Sequence, residues 1–189
     1  MVNIYCSPRH GSAGSPAAYA LLARAYGLVY GGDMPEIKKT PNGKPYFPAE
    51  PYVFFSLSHS KTHVLCAISD SPVGADLESP RLISERAQSF FSTPEELSMF
   101  EPLELWVLKE SYVKLIGGTL KMVRSIRFLR RDGGIFTPGN DCFSKLIKIG
   151  DCIAAVSAFE EIKDYSIELI DSYSEPVSGP YDSFVIPNP

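Results

Sequence analysis

Several things are scarce or missing in this chain of 189 residues, and each absence removes a class of function. It has only three histidines, His10, His59 and His63, too scattered to build a histidine metal centre. Its four cysteines, Cys6, Cys66, Cys142 and Cys152, show no C-x-x-C spacing, which argues against a zinc site or a disulfide framework and for a reduced, cytoplasmic protein. Cys6, Cys66 and Cys152 lie in apolar runs, where cysteine acts as a small core residue. No run reaches the roughly 18 apolar residues of a membrane span. The opening Met-Val-Asn-Ile-Tyr-Cys lacks the basic and apolar regions of a secretory signal. An excess of positive charge is missing too: the formal net charge of -4 speaks against nucleic acid as the partner.

What is present is an ordinary globular composition, 44% hydrophobic and 21% charged. The apolar pattern predicts a strand over 2–6 and a helix over 17–26, with Ser15 as cap, Pro16 at its first position and Gly27 as its stop. A long loop over 31–51 contains a short strand near 36–39 and a tight turn, Asn42-Gly43-Lys44-Pro45, that presents Lys44. Strands over 52–57 and 64–69 flank Ser58 to His63 as a hairpin. A strand over 73–78 follows, then helices over 81–90 and 103–116, with a capping box at Thr93–Glu96 between them. Further strands are expected over 125–130, 135–137, 143–149, 152–158 and 165–170. Residues 171–189 read as an extended or disordered tail. The whole is an α+β pattern, with a seam near Ser71-Pro72 dividing a lobe of residues 1–72 from one of residues 73–170.

The strand Val73-Gly74-Ala75-Asp76-Leu77-Glu78 organises the chemistry. Side chains alternate along a strand that rises about 3.3 Å per residue, so Asp76 and Glu78 share a face, roughly 6–7 Å apart at the backbone, while Ala75 and Leu77 face a core. Two such acids can grip a divalent cation, or can simply be a solvated strand face. On the 103–116 helix, Leu105, Leu108, Tyr112, Leu115 and Ile116 form a core stripe. Glu110 and Lys114, four apart, lie opposite it with Trp106 beside them. The common fate of such a pair is an exposed ion pair worth about 0.3–0.5 kcal/mol. Alternatively, Glu110 completes an oxygen-rich magnesium site with Asp76 and Glu78. Ser58, His59 and Lys44 are candidate phosphate contacts. From Lys109 to Lys148 basic residues outnumber acidic ones nine to three, which suggests a basic face for an acidic protein or a polyphosphate.

At these residues the sequence resembles the 4′-phosphopantetheinyl transferases of the Sfp type. Gly43-Lys44-Pro45 followed by Phe55-Ser56-Leu57-Ser58-His59-Ser60 is similar to that family's G-K-P and N-x-S-H-S segments. Val73 to Glu78 is similar to V/I-G-x-D-x-E, and Trp106 to Lys114 to W-x-x-K-E-S/A-x-x-K. Phe90-Phe91-Ser92 with Glu95-Glu96 is similar to the F-F-S…E link. Ser56, Leu57 and Val107 depart from the usual residues, and Arg9, His10 and Gly14 are what remains of an R-x-x-x-G segment in a short N-terminal lobe.

The resemblance implies two pseudo-twofold-related lobes on one monomeric chain, with the active site in the cleft between them. It implies a holo-[acyl-carrier-protein] synthase type of reaction, in which the phosphopantetheine arm of coenzyme A moves onto a serine of an acidic acyl or peptidyl carrier protein, releasing 3′,5′-ADP. Magnesium would be held by Asp76, Glu78 and Glu110. Glu110 would act as general base, Lys114 at the leaving phosphate, and His59, Ser58, Lys44 and Trp106 around coenzyme A. Two other classes use the same residues: a magnesium-dependent phosphodiester hydrolase, and a non-catalytic module that binds coenzyme A or a carrier protein.

Overall fold

The computed structural model describes residues 1–9, 14–139 and 141–170. His10 and the tail expected over 171–189 lie outside the described residues. The elements run β1 (Val2–Pro8), α1 (Gly14–Tyr30), β2 (Lys38–Lys39), β3 (Pro45–Tyr46), β4 (Phe54–His59), β5 (His63–Ser69) and β6 (Val73–Glu78). Then come α2 (Glu85–Phe91), α3 (Pro94–Met99), α4 (Pro102–Ile116), a 3-10 turn (Leu120–Arg124), β7 (Leu129–Arg131), β8 (Gly134–Phe136), β9 (Phe143–Ile149), β10 (Cys152–Ala158) and β11 (Tyr165–Leu169). The α+β class is as expected.

Two sheets carry the fold. One has the order β11-β1-β5-β4, the other β6-β10-β9-β8-β7. Each contains a strand, a helix and a hairpin in which the first strand pairs antiparallel with the hairpin's second strand: β1 with β5, and β6 with β10. β11 returns from the end of the chain to lie parallel to β1.

Alternation along β5 shows how the layers form. Val64, Cys66 and Ile68 pack with Ala17, Leu21, Leu22 and Ala25 of α1, while Leu65 and Ala67 join Val73, Ala75 and Leu77 of β6 and Ala154 and Val156 of β10. A third apolar cluster lies between α4 and the second sheet, around Leu105, Leu108, Leu115 and Phe128. The four cysteines are buried and unbridged.

Three expectations about elements are corrected. α1 does not stop at Gly27 but runs to Tyr30, where Gly31 at φ 77° closes it with an N–H to the Gly27 carbonyl at 3.1 Å. The extra turn is held by packing: Tyr26 and Tyr30 lie 5.3 Å apart, and the Tyr26 hydroxyl donates to Glu50 at 2.6 Å. α2 starts at Glu85 rather than 81, because the Ser84 hydroxyl caps the Ala87 N–H at 3.3 Å. Residues 125–128 are not a strand. Side chains take their backbone groups instead, with Glu96 accepting from Phe128 N–H at 3.1 Å and Lys109 donating to the Ile126 carbonyl at 2.8 Å.

Candidate active site

β6 is the platform. The faces fall as the strand period requires: Ala75 and Leu77 enter the core between the sheets, and Gly74, Asp76 and Glu78 lie on the opposite face. Gly74 lets α4 rest directly on the strand. A β-carbon there would lie 2.0 Å from the Ser111 carbonyl oxygen and 2.4 Å from the Leu115 nitrogen. A glycine inside a strand marks such an approach. Because α4 is pressed onto β6 at this point, Glu110 and Lys114, one helical turn apart, reach the strand's carboxylates.

α4 is fixed at both ends. Pro102 opens it behind a capping box between Glu101 and Glu104. Gly117, at φ 63°, closes it, and the Gly118 N–H reaches back to the Val113 carbonyl at 2.9 Å. The hairpin of β2 and β3 docks on this end. Lys44 donates through Nζ to the Leu115 carbonyl at 2.6 Å, and Asn42 to the Gly117 carbonyl at 3.0 Å. Burial pulls the Lys44 ammonium down to about 8.

Asp76, Glu78 and Glu110 each offer a carboxylate oxygen within 4.8 Å of the others. Asp76 is 3% exposed, and one of its oxygens is well supplied. Oδ1 accepts from the Lys114 ammonium at 2.7 Å and from the Ser58 hydroxyl at 2.8 Å. Oδ2 is buried and has no hydrogen-bond partner. An unpaired buried carboxylate oxygen is costly, so this atom calls for a cation or a proton. Burial, and then the charge of Asp76, push the Glu110 carboxyl up to about 8, with Glu78 adding to the rise and Lys114 and Arg81 opposing it. The donor set, three carboxylates around an unsatisfied oxygen, fits a hard oxygen-seeking ion such as magnesium.

Beside the triad is a cavity of about 190 Å³. Lys44, Ser58, His59 and Lys114 all line it, with Tyr19 and Phe55 among its walls. His59 packs on Gly14, where a β-carbon would stand 2.5 Å from the imidazole. Burial lowers the His59 pKa, with the Lys114 and Arg9 charges adding to it and Asp76 and Glu78 opposing. Trp106 lies on the same helix as Glu110, half-buried and edge-on to Phe91 at 5.1 Å, with its indole N–H buried and unpartnered. Seven residues singled out by sequence thus gather around one strand and one cavity: Asp76, Glu78, Glu110, Lys114, Lys44, Ser58 and His59.

The chain resembles the Sfp-type 4′-phosphopantetheinyl transferases. A 4′-phosphopantetheinyl transferase of Bacillus subtilis is 36% identical over 111 residues, 53% of this chain and 48% of that protein. The transferase gsp of Aneurinibacillus migulanus is 38% identical over 92 residues, 42% of this chain and 37% of that protein. The transferase Sfp of Bacillus subtilis strain 168 is 36% identical over 90 residues, 42% of this chain and 40% of that protein. The matched stretch therefore spans less than half the length of each of these relatives. No protein-family model matches the chain. No helix among the described residues is long and apolar enough to cross a membrane.

Two residues of the site had no role assigned from the sequence: Gly74, matched only as part of the V/I-G-x-D-x-E stretch, and Arg81. Gly74 could have been found, since a glycine inside a strand signals a close approach of another backbone. Arg81 gave no signal: it follows the turn at Ser79-Pro80 and folds back to Glu78, with Nη2 to Oε1 at 2.9 Å. Lys109 must be removed from the expected basic face. It is wholly buried, paired with Glu96 at 2.9 Å, and its ammonium also donates to the Phe91 and Ile126 carbonyls.

Proposed function

We propose that this protein is a magnesium-dependent transferase that moves the 4′-phosphopantetheine arm of coenzyme A onto a serine of an apo acyl or peptidyl carrier protein. The observation that carries the reading is Asp76 Oδ2, buried and unpartnered inside a carboxylate triad that borders a cavity lined by Lys44, His59 and Lys114. Asp76, Glu78 and Glu110 would hold the ion, which when bound neutralises charge on the pyrophosphate. Lys44 and His59 bind the phosphate-bearing part of coenzyme A, Ser58 holds Asp76 through its hydroxyl, and Trp106 shapes the site.

In the reaction the carrier serine oxygen bonds to the phosphorus that bears the pantetheine arm. The bond from that phosphorus to the bridging oxygen breaks. Glu110, ionised once the ion is bound, accepts the serine proton. Lys114 stabilises the leaving phosphate of 3′,5′-ADP. The repeated strand–helix–hairpin unit supports two pseudo-twofold lobes, divided after residue 72, on a monomeric chain with the active site in the cleft between them. The acidic carrier docks against the basic residues beyond α4, among them the exposed Lys121 and Arg124, with the exposed Leu120 and Met122 beside them.

The test is to incubate the chain with coenzyme A, magnesium and apo-carriers of fatty acid, polyketide and peptide systems, and to weigh the carrier. The expected result is a gain of one phosphopantetheine group, abolished in Asp76→Ala while its circular dichroism is unchanged. Hydrolysis of coenzyme A with no carrier modified would replace this reading with a phosphodiester hydrolase. Binding of coenzyme A without turnover would replace it with a binding module. Near-normal transfer by Asp76→Ala would remove the triad from the chemistry.

A further inference from the structure

The three carboxylates of the triad are not equally available. Asp76 keeps Oδ2 unpartnered. Glu78 has both oxygens taken by one side chain: Arg81 donates through Nη2 to Oε1 at 2.9 Å and through Nε to Oε2 at 3.3 Å. A planar guanidinium that meets both oxygens of a carboxylate makes the strongest form of side-chain ion pair. Its charge also reaches Glu110 and Asp76. The triad thus faces two resident cations, Lys114 on Asp76 and Arg81 on Glu78.

The two cations differ in what they can do. Lys114 is 31% exposed and projects from α4, which is locked onto β6. Arg81 is 40% exposed and lies in the segment between β6 and α2, outside any helix or strand. While paired with Glu78 it already stands over a second attractive group, its guanidinium carbon 5.9 Å from the centre of the Trp106 ring. An arginine over an indole face is stabilised by the ring quadrupole. Moving off Glu78 therefore leaves the side chain with an attractive neighbour.

We propose that Arg81 is a competing cation: it holds Glu78 in the metal-free protein, competes with a divalent ion for that carboxylate, and thereby weakens metal binding. The inference rests on the metal-site reading above and deepens it. A divalent ion needs a Glu78 oxygen, and each already accepts from Arg81, so the ion must share or displace that bond; it also enters against the positive charge of Arg81. Removing Arg81 relieves both costs.

The experiment titrates the full chain with magnesium alone, without coenzyme A or carrier, by calorimetry and by the emission of Trp106, the only tryptophan in the sequence. Arg81→Ala is expected to bind magnesium more tightly, by roughly two- to fivefold, fivefold being the top of the range for exposed ion pairs. Wild type is expected to change its emission on titration as the guanidinium leaves Glu78, and Arg81→Ala to lose most of that change. Arg81→Lys, which keeps the charge without the fork, falls between them. Weaker magnesium binding by a folded Arg81→Ala would overturn the proposal and make Arg81 a support for Glu78 instead. If wild type takes up no magnesium and matches Asp76→Ala, the metal-site reading falls and the competition falls with it. Binding by wild type that Asp76→Ala abolishes and Arg81→Ala leaves unchanged sinks the competition alone.

Discussion

A lysine with no exposed surface is affordable only when its ammonium is fully paired, and Lys109 is. It meets the Glu96 carboxylate at 2.9 Å and donates to the carbonyls of Phe91 and Ile126. Burial pulls its pKa down and the Glu96 charge pulls it back. Glu96 in turn accepts from the backbone of Thr93 and Phe128, so one ion pair fastens α2, α3, α4 and the segment beyond the 3-10 turn. Breaking one side of a buried pair strands the other charge, at a cost of about 3–5 kcal/mol. Lys109→Met is therefore expected to lower the melting temperature by roughly 10 °C, at about 2–4 °C per kcal/mol for a chain of this size. Glu96→Gln added to it should restore part of the loss, because the stranded charge is then gone. A Lys109→Met melt equal to wild type would show that the pair is dispensable. The sequence held a clue: Lys109 follows Leu105 by four residues, which puts it on the same apolar stripe. Counting charges along the chain hid what the helical period showed.

At the scale of elements, the site depends on how closely α4 lies on β6. Period-two alternation placed Asp76 and Glu78 on one face, and the i,i+4 spacing placed Glu110 with Lys114, so these pairs were legible from local order alone. That the two elements touch was not, because contact between them is decided by what fits at Gly74. Nor was Arg81, whose return to Glu78 is set by the turn at Ser79-Pro80 rather than by any period. Gly74→Ala places a methyl 2.0 Å from the Ser111 carbonyl, a backbone atom that cannot swing aside. Overpacking of this kind costs about 1–3 kcal/mol or more and must push the helix outward. The expected outcome is a lower melting temperature together with weaker magnesium binding in the same titration, since Glu110 rides on α4 and Asp76 on β6. A Gly74→Ala protein with unchanged melting and unchanged magnesium affinity would show that the close approach is not what assembles the triad.

At the scale of the molecule, most strands, the β4–β5 hairpin and the faces of β6 were readable from the apolar pattern, whereas the order of strands in the sheets and the joint between the two sheets were not. β4 and β6 are edge strands of different sheets. Two serine side chains join them. Ser56 Oγ accepts from the Ala75 N–H at 2.9 Å, and Ser58 Oγ accepts from the Leu77 N–H at 3.1 Å while donating to Asp76. The match is one of periods: serines two apart on β4 meet amides two apart on β6, each set facing one way because strands alternate. In the sequence Ser58 looked like phosphate chemistry and Ser56 like a mere departure from the family's pattern, since nothing local distinguishes a hydroxyl that stitches sheets from one that faces a ligand. Their consequence is global, because the joint fixes β6 against β4 and so the carboxylates against His59 and the cavity. Ser56→Ala tests the joint without touching a carboxylate partner. It leaves the Ala75 N–H buried with its acceptor removed, at about 1–3 kcal/mol. We expect a melting temperature lower by several degrees. We also expect faster hydrogen exchange at Ala75 than in wild type, with Leu77 much less affected because Ser58 still holds it. Exchange at Ala75 as slow as in wild type would mean that the sheets are held together by their shared apolar core alone, with the serines as passengers.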